Sequence, residues 1–307
     1  MKIFFDNVNF SSRSGPNSFA FRLAENLNKK GHEICGPNEC DIHLAFIEQQ
    51  HQKNKNAKLI QRLDGIWFKP EEFLEKNAGI KRTYDAATAV IWQTQFDKTM
   101  ITKCWGDKHG SVIGNGIIIA ETPVAHPKLL EIKNRFKTIF VCAANWHRQK
   151  RLKENVELFL QLQNTNTNSC LLVCGGNPDY VINHPGIFYF GDLSHDILMQ
   201  VYAMSNWMIH LAWLDHFPNT VVEAISKGVP VIHTNSGGTR EVVRKNGIEI
   251  AEQWDYDFSL LDYENPPNIN YPKIELKKID IESDYLCIDT VGQVYENFLN
   301  EVKNDND

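Results

Sequence analysis

The chain lacks a long apolar segment, since none approaches the roughly 20 residues that a helix needs to cross a bilayer. Its first ten residues also lack the apolar core and the small-residue cleavage site of a signal peptide. A basic excess is missing as well, because 32 Lys and Arg stand against 38 Asp and Glu, whereas proteins that hold duplex nucleic acid by its phosphates are usually basic. We therefore expect a cytoplasmic protein, and nucleic acid is not the favoured partner.

A disulfide framework is also not indicated. The seven cysteines are odd in number and scattered, and none has the close His or Cys partners of a zinc site. We expect free thiols, as is usual in a reducing compartment. With 42% hydrophobic and 23% charged residues, the composition excludes a disordered or fibrous chain, and 307 residues predict about two domains.

Strand and helix patterns alternate along both halves of the sequence. This alternation predicts parallel sheets covered by helices on both faces, in two Rossmann-like domains of an α/β protein. In the first helix, Ser18 is the predicted N-cap and Gly31 the predicted C-cap. The predicted strands are 1–5, 41–47, 57–63, 88–93, 111–117, 136–144, 169–176, 186–191, 207–212 and 229–234, and the predicted helices are 18–31, 152–164, 195–205, 219–228 and 288–303.

The two halves are predicted to be separate domains, joined near Glu121–Pro127 by a segment with two prolines. The N-terminal domain is predicted over residues 1–124 and is joined by the last helix, 286–303. The C-terminal domain is predicted over 125–285. Its last part, 252–285, is rich in proline and matches no pattern that we recognise.

The most informative segment is 215–243, where two carboxylates stand close to the start of a predicted helix. Asp215 follows a strand, and Glu223 comes after a further seven residues, one turn into the helix. The helix begins near Asn219–Thr220, where free amides and the helix dipole favour an anion. Carboxylates accept hydrogen bonds from sugar hydroxyls. A binding site for a nucleoside diphosphate sugar needs both features, carboxylates for the sugar hydroxyls and amides for the phosphates.

Here the chain resembles the family 4 retaining glycosyltransferases, which have the GT-B fold of two Rossmann-like domains with sheets facing an interdomain cleft. Their hallmark is a Glu, seven residues and a second Glu-Ala, followed by a Gly-Val-Pro-Val strand. The resemblance covers about residues 1–250 and the last helix. The matching residues are Asp215, Phe217-Pro218-Asn219-Thr220, Glu223-Ala224, Gly228-Val229-Pro230-Val231-Ile232 and Gly237-Gly238-Thr239 with Glu241.

The resemblance also implies which residues bind the donor. Lys150 matches a family Lys that clamps the diphosphate, while the family's Arg position holds Asn145, so that Arg148 or Arg151 is expected to supply the missing cation. Cations placed in this way stabilise a departing diphosphate. The loop after Gly191 is expected to meet the base through Asp192 and Leu193.

In the N-terminal half the match is looser. Gly15 corresponds to a glycine loop near the donor, although Pro16 follows it where the family usually has a second glycine. Asp64 or Arg62, at the end of a strand, is expected to touch the reacting sugar or the acceptor; the alternative for Asp64 is an ordinary turn before Gly65. A further turn is predicted at Asn115–Gly116.

Two departures from the family lie at the expected reaction centre. Where the family has its first Glu, this chain has the shorter Asp215. Where the family has a small residue after that Glu, this chain has His216, which is expected to touch the sugar or the diphosphate, or to restrict the pocket. Trp213 and Trp67 are candidates for stacking on a sugar or base, but large aromatic residues more often belong to a core.

These observations predict a retaining, hexosyltransferase-like enzyme that needs no metal and no cofactor beyond its nucleotide-sugar co-substrate. The catalytic residues are expected to be Asp215, Lys150 and Asp64. The acceptor is expected to be a glycan, a lipid-linked or a small molecule, with peripheral membrane contact left open. Two alternatives remain: sugar transfer to nucleic acid bases, and a non-catalytic module that binds a nucleotide sugar.

Overall fold

A computed structural model describes residues 1–12, 15–252, 259–260 and 264–305. The chain forms two compact units. Unit 1 contains the described residues of Met1–Ile118, Asp257–Asp262 and Asp284–Asp307, and unit 2 those of Ile119–Tyr256 and Tyr263–Ser283. Within the described ranges, no helix is both long enough and apolar enough to cross a membrane.

Unit 1 is built on a parallel six-stranded sheet. Its central strands are buried apart from the first residue of β4, Lys58, as expected for a parallel sheet that is covered on both faces. The elements up to residue 112 are β1 (Lys2–Asp6), α1 (Gly15–Lys29), β2 (Glu33–Ile34), β3 (Ile42–Phe46), β4 (Lys58–Leu63), α2 (Pro70–Lys76), α3 (Ala78–Ala86), β5 (Ala89–Trp92), α4 (Gln95–Trp105) and β6 (Gly110–Val112). The order across the sheet is β2-β1-β3-β4-β5-β6.

Three local predictions in unit 1 are wrong. The strand predicted over 111–117 is the shorter β6, which ends at Val112. Helix α1 begins at Gly15, so Ser18 lies inside it instead of capping it. Pro16 explains the earlier start, because its fixed φ suits the first helical turn. There is no turn at Asn115–Gly116, and the Asn115 side chain is instead buried, where it accepts a hydrogen bond from Arg62.

Unit 2 is built on a second parallel six-stranded sheet. The predicted fold class, an α/β protein with two parallel sheets, is thereby confirmed. Its elements are α5 (Pro127–Arg135), β7 (Thr138–Ala143), α6 (Leu152–Gln163), β8 (Ser169–Cys174), β9 (Ile187–Gly191), α7 (His195–Met204), β10 (Trp207–His210), α8 (Asn219–Ser226), β11 (Val231–Thr234), α9 (Thr239–Val243) and β12 (Gly247–Ile250). The order is β12-β11-β10-β7-β8-β9.

The last helix, α10 (Ile288–Asn304), returns to the core of unit 1. It buries one apolar face, which includes Tyr295 and Leu299, against the β1 and α1 side of that core. Asn26 of α1 donates a hydrogen bond to Asp289 at 2.7 Å. A Cβ on Gly292 would meet the Asn26 side chain, so this glycine permits the close packing of the two helices.

The described residues 264–283 of unit 2 contain no helix or strand, yet they are fixed to the surface of its core. Tyr271, Ile274, Leu276 and Ile279 are partly buried against that core. The Tyr271 hydroxyl also donates to the carbonyl of Glu154 at 3.2 Å. Apolar packing at intervals therefore holds this segment in place without regular backbone hydrogen bonding.

Candidate functional site

The strand order of unit 2 contains one point at which the chain changes direction across the sheet. After β7 the chain continues to β8 and β9 on one side, and β10 to β12 lie on the other side. In open α/β sheets, ligands bind outside the carboxyl ends of the strands at such a switch point. Here the flanking loops are 144–151, after β7, and 211–218, after β10.

Two residues join these loops by a reciprocal pair of hydrogen bonds. The Gln149 side-chain amide donates to the carbonyl of Trp213 at 2.9 Å, and the Trp213 amide donates to the carbonyl of Gln149 at 2.8 Å. Trp146 anchors the first loop from the other side, because its buried indole donates to the carbonyl of Cys174 at 3.0 Å. The position of Lys150 is therefore fixed by its neighbours.

Arg151 holds the same loop from inside the protein. Its side chain is fully buried, and it donates to Glu252 at 2.7 Å and to the carbonyls of Leu211 and Pro267 at 3.2 and 2.6 Å. The guanidinium also lies 5.4 Å from the Trp213 ring. Of the two arginines considered for the diphosphate, Arg151 is thus a structural residue, and buried Trp213 packs against it.

Lys150 and Asp215 form an ion pair across the switch point, with 2.5 Å between Nζ and Oδ2. His210, the last residue of β10, lies 3.5 Å from the same oxygen. Burial alone would raise the pKa of Asp215, but the charge of Lys150 and the nearby His210 hold it well below its usual range. Burial and Lys150 lower the pKa of His147 in the same loop. Asp215 is therefore an anion next to a cation.

The turn after β11 supports the Asp215 backbone. Gly237 has a φ of +73°, and a Cβ there would lie 2.6 Å from the carbonyl oxygen of Asp215. The next residue, Gly238, donates its amide to that oxygen at 2.8 Å. Only glycine allows this approach without strain, which gives the Gly-Gly pair in the sequence a structural reason.

The remaining predicted donor residues lie in the same loops or at the start of α8. His216 and Phe217 follow Asp215, Pro218 is the extended residue before the helix, and Asn219 and Thr220 form its first turn. The first amides of α8 therefore follow the Lys150–Asp215 pair directly, as an anion site requires.

Three other predicted residues of unit 2 have side-chain partners of their own. Glu223 lies one turn into α8, with Oε1 3.9 Å from Nδ1 of His195 at the start of α7. Arg148 donates two hydrogen bonds to Glu154, at 2.7 and 2.9 Å. Asn145 accepts a hydrogen bond from Asn177 at 3.2 Å. Leu193 lies in the loop before α7, next to the exposed Asp192.

Sequence reasoning missed His210 and Gln149. His210 ends an apolar strand and is buried, so the strand pattern alone gives no reason to single it out. Its position five residues before Asp215 is the only available signal. Gln149 is a neutral residue in a basic segment, from Arg148 to Arg151, so it does not stand out in the sequence. Its role depends on the carbonyl of Trp213, which lies 64 residues later in the chain.

In unit 1, the predicted Asp64 lies at the carboxyl end of β4 and is not a simple turn residue. It accepts hydrogen bonds from Arg62 and, at 2.5 Å, from Gln93. Arg62 is fully buried and lies 4.9 Å from the Phe19 and Phe46 rings. Gly15 opens α1 at the same sheet edge. Trp67 is half exposed, and Nζ of Lys76 lies 4.1 Å from the centre of its ring.

Comparison with known proteins finds a family match for one stretch of the chain. Residues 126–253 match the family of glycosyl transferases group 1. This matching stretch is less than half of the chain. It spans β7 to β12 and therefore the whole switch point of unit 2. The predicted resemblance is confirmed at this level, whereas the assignment to family 4 stays a prediction. No curated protein matches the chain.

Solved structures with the same fold cover nearly the whole chain. HepE of Anabaena, in complex with UDP and glucose, aligns with a TM-score of 0.66 at 16% identity, over 98% of this chain and 100% of its own. Sucrose-phosphate synthase of Thermosynechococcus elongatus aligns with a TM-score of 0.60 at 13% identity, over 99% and 95%. WaaG, a glycosyltransferase of lipopolysaccharide biosynthesis, gives 0.56 at 12% identity, over 100% and 96%. These neighbours show the GT-B fold.

Proposed function

We propose that the protein transfers a hexosyl group from a nucleoside diphosphate sugar to an acceptor hydroxyl, with retention of anomeric configuration and without a metal ion. The observation that carries this proposal is the Lys150–Asp215 pair, which links the two loops of the switch point next to the start of α8. The group 1 match to residues 126–253 supports the same reaction class.

The charges of unit 2 suit the two ends of such a donor. Lys150, Arg148 and the first amides of α8, at Asn219 and Thr220, would bind the diphosphate. A cation and helix amides stabilise the charge that develops as this group leaves. Ligand oxygens would then bind the Lys150 ammonium, whose side chain is 22% exposed, in place of its contact with Asp215.

The carboxylates would hold the hydroxyls of the donor. Asp215 would accept hydrogen bonds from the transferred sugar, and Glu223 from the ribose. Because an ionised carboxylate accepts through both oxygens, it can bind a diol. The base would contact Leu193, and Asn145, His216, Phe217 and Pro218 would complete the walls of the donor site in unit 2.

We further propose that unit 1 binds the acceptor, with Asp64 at the carboxyl end of β4 touching it. The acceptor is taken to be a glycan, a lipid-linked or a small molecule, and a peripheral contact with a membrane is compatible with each of these.

The seven cysteines are all free thiols, which favours a reducing compartment such as the cytoplasm.

Donor binding is the first experiment. The protein is screened for thermal stabilisation with UDP-glucose, UDP-galactose, GDP-mannose, ADP-glucose and dTDP-glucose, since a ligand of the native state raises its melting temperature. Calorimetry with the best of these then compares wild type with Glu223→Ala. We expect a loss of affinity of at least tenfold, because the ribose loses a charge-assisted hydrogen bond.

Glu249→Ala is the matched control for that variant. Glu249 is also a glutamate of unit 2, on the edge strand β12, where it lies 3.5 Å from Arg240. We expect its donor affinity to equal that of wild type. Unchanged binding in Glu223→Ala would refute the assignment, and binding without any turnover would favour the non-catalytic alternative.

Stereochemistry and metal dependence need separate measurements. NMR of the first sugar released from the donor should show the anomer of the donor itself, before mutarotation. The release rate should be the same after exhaustive treatment with EDTA. An inverted first product would refute retention, and a rate restored only by added divalent cations would refute metal independence.

A further inference from the structure

The residue proposed to hold the ribose lies next to the start of α7. Oε1 of Glu223 is 3.9 Å from Nδ1 of His195, the first residue of that helix. Only Asp192, Leu193 and Ser194 separate His195 from the end of β9. Because the base is bonded to the ribose, a nucleotide held by Glu223 would place its base against this three-residue loop. All of these residues belong to unit 2.

The loop after β9 is joined to the loop after β8. The Gly175 amide donates to the carbonyl of Gly191 at 2.7 Å. Beside this bond, a Cβ on Gly176 would lie 2.6 Å from Oδ2 and 2.9 Å from Oδ1 of Asp192. The carboxyl group of Asp192 therefore lies against the bare Cα of Gly176 and connects the two loops at the carboxyl ends of β8 and β9.

The contact between Gly176 and Asp192 is not required by the backbone. Gly176 does not have a positive φ, so its conformation would accept a side chain, but that side chain would displace the Asp192 carboxyl group. Asp192 is exposed, and within the described part of the chain its oxygens have no hydrogen-bond or ion-pair partner. Both acceptor oxygens are thus available to a ligand.

The same two loops carry no strongly basic side chain. Residues 175–186, after β8, and 192–194, after β9, contain no lysine or arginine, whereas they contain Asp179 and Asp192. A base that presents carbonyl oxygens to this wall would meet carboxylates and no lysine or arginine. A base that presents N–H groups would find acceptors.

Nucleobases differ in what they offer to a carboxylate. Guanine presents two neighbouring donors, N1–H and the N2 amino group, and a carboxylate accepts both through its two oxygens. Uracil and thymine present one N–H between two carbonyl oxygens, which a carboxylate repels. Adenine and cytosine present one amino group beside an acceptor nitrogen. Two parallel hydrogen bonds to a carboxylate are therefore specific to guanine.

We propose that Asp192 selects a guanine base, so that the donor is a guanosine diphosphate sugar. Its two carboxylate oxygens accept from N1–H and from the N2 amino group, and Gly176 leaves the room that this position of the carboxylate needs. The inference rests on the proposed function and names the class of donor that it uses.

Calorimetry on the full chain compares GDP, IDP and UDP. IDP differs from GDP only by lacking the N2 amino group, so the ratio of the two affinities isolates that one contact. For wild type we expect GDP to bind about tenfold more tightly than IDP or UDP, as for loss of a paired base contact. Asp192→Asn replaces one acceptor by a donor, so the GDP-to-IDP ratio should fall to about twofold or less.

Asp280→Asn is the matched control. Asp280 is also an exposed aspartate of unit 2, 3.6 Å from Lys278, but it lies in the segment 264–283 and in neither of the two loops. We expect this variant to keep the wild-type affinities for all three nucleotides, so that loss of a surface carboxylate as such is excluded as the cause.

Gly176→Ala tests the position of the carboxylate without removing it. The added Cβ fits the backbone but pushes the Asp192 carboxyl group away, so the GDP-to-IDP ratio should fall here as well. UDP binding to wild type as tightly as GDP, or an unchanged ratio in Asp192→Asn, would overturn the selection of guanine while leaving the nucleotide-sugar site in place. Absence of binding by all three nucleotides would instead refute the proposed function.

Discussion

The two units carry the same kind of sheet but hold opposite chemistry at their switch points. In unit 2 a lysine and an aspartate from facing loops pair at 2.5 Å. In unit 1 an aspartate at the end of β1, Asp6, is held by two histidines, His43 and His51, and by three backbone amides, and among the residues that the structure describes no lysine or arginine is a hydrogen-bonding partner of it. A cation with helix amides suits a leaving diphosphate, whereas a buried carboxylate repels one.

The difference shows that the topology determines where side chains converge but not what they do there. Both switch points arise because β1 and β7 start their sheets and the chain later crosses to their other side. The residues that follow the strands then decide the chemistry. Four measurements test this comparison.

The largest effect is expected from breaking the buried ion pair that supports the switch point of unit 2. Arg151→Met leaves Glu252 buried without its cation, which should cost about 3–5 kcal/mol of unfolding free energy. Denaturant unfolding measures it. Arg148→Met, which breaks a partly exposed pair with Glu154, should cost less than about 1 kcal/mol. If Arg151→Met and Arg148→Met lost the same unfolding free energy, Arg151 would not be the only structural residue of the two.

Removing the cation of the switch point itself should mainly affect the donor. Lys150→Met should weaken binding of the nucleotide sugar by about 100-fold, because Asp215 and the diphosphate both lose their partner. Lys150→Arg should recover part of this affinity, since the charge is kept but its position changes. Calorimetry measures both variants, and a wild-type affinity in Lys150→Met would show that the pair does not serve the donor.

Acid should remove stability from both switch points. Asp6 and Asp215 have pKa values below the ordinary 3.8, so their contribution is complete above that pH and is lost as pH falls below it. Asp6→Asn should cost about 2 kcal/mol at pH 7, from lost charge-assisted hydrogen bonds, and should lose less further stability on acidification. Unfolding free energies measured from pH 7 to about 2.5 check this. Parallel curves for wild type and variant would count against it.

The smallest effect is expected at the turn that supports Asp215. Gly237→Ala combines a positive φ with a collision against the Asp215 backbone, and should cost about 1 kcal/mol more than Gly228→Ala. Gly228 has nearly the same φ, +77°, but nothing lies within 4 Å of its added Cβ, so the difference isolates the collision. Only Gly237→Ala should also weaken donor binding. Identical unfolding curves for Gly237→Ala and Gly228→Ala would show that the turn rearranges without a loss of unfolding free energy.

The local pattern was enough to predict the α/β class, because strands buried on both faces read as continuous apolar runs and alternate with helices. It was also enough to find the segment with Asp215 and Glu223, since both lie within one loop and one helical turn. The start of α1 was mispredicted because a proline can open a helix where no N-cap side chain is evident, as Pro16 does here.

What only the tertiary structure decided are the contacts between residues far apart in the chain. The sequence around Arg148 and Arg151 is equally basic, yet burial against Glu252 makes one of them structural and leaves the other partly exposed. His51 stands in a polar stretch with no motif, and it gains a partner only because β1 and β3 are neighbours in the sheet. Sequence by itself thus determined most of the strands and one candidate loop for a ligand. The order of the strands determined which charges meet, because hydrogen bonds and ion pairs depend on distances of a few ångströms that no spacing along the chain encodes.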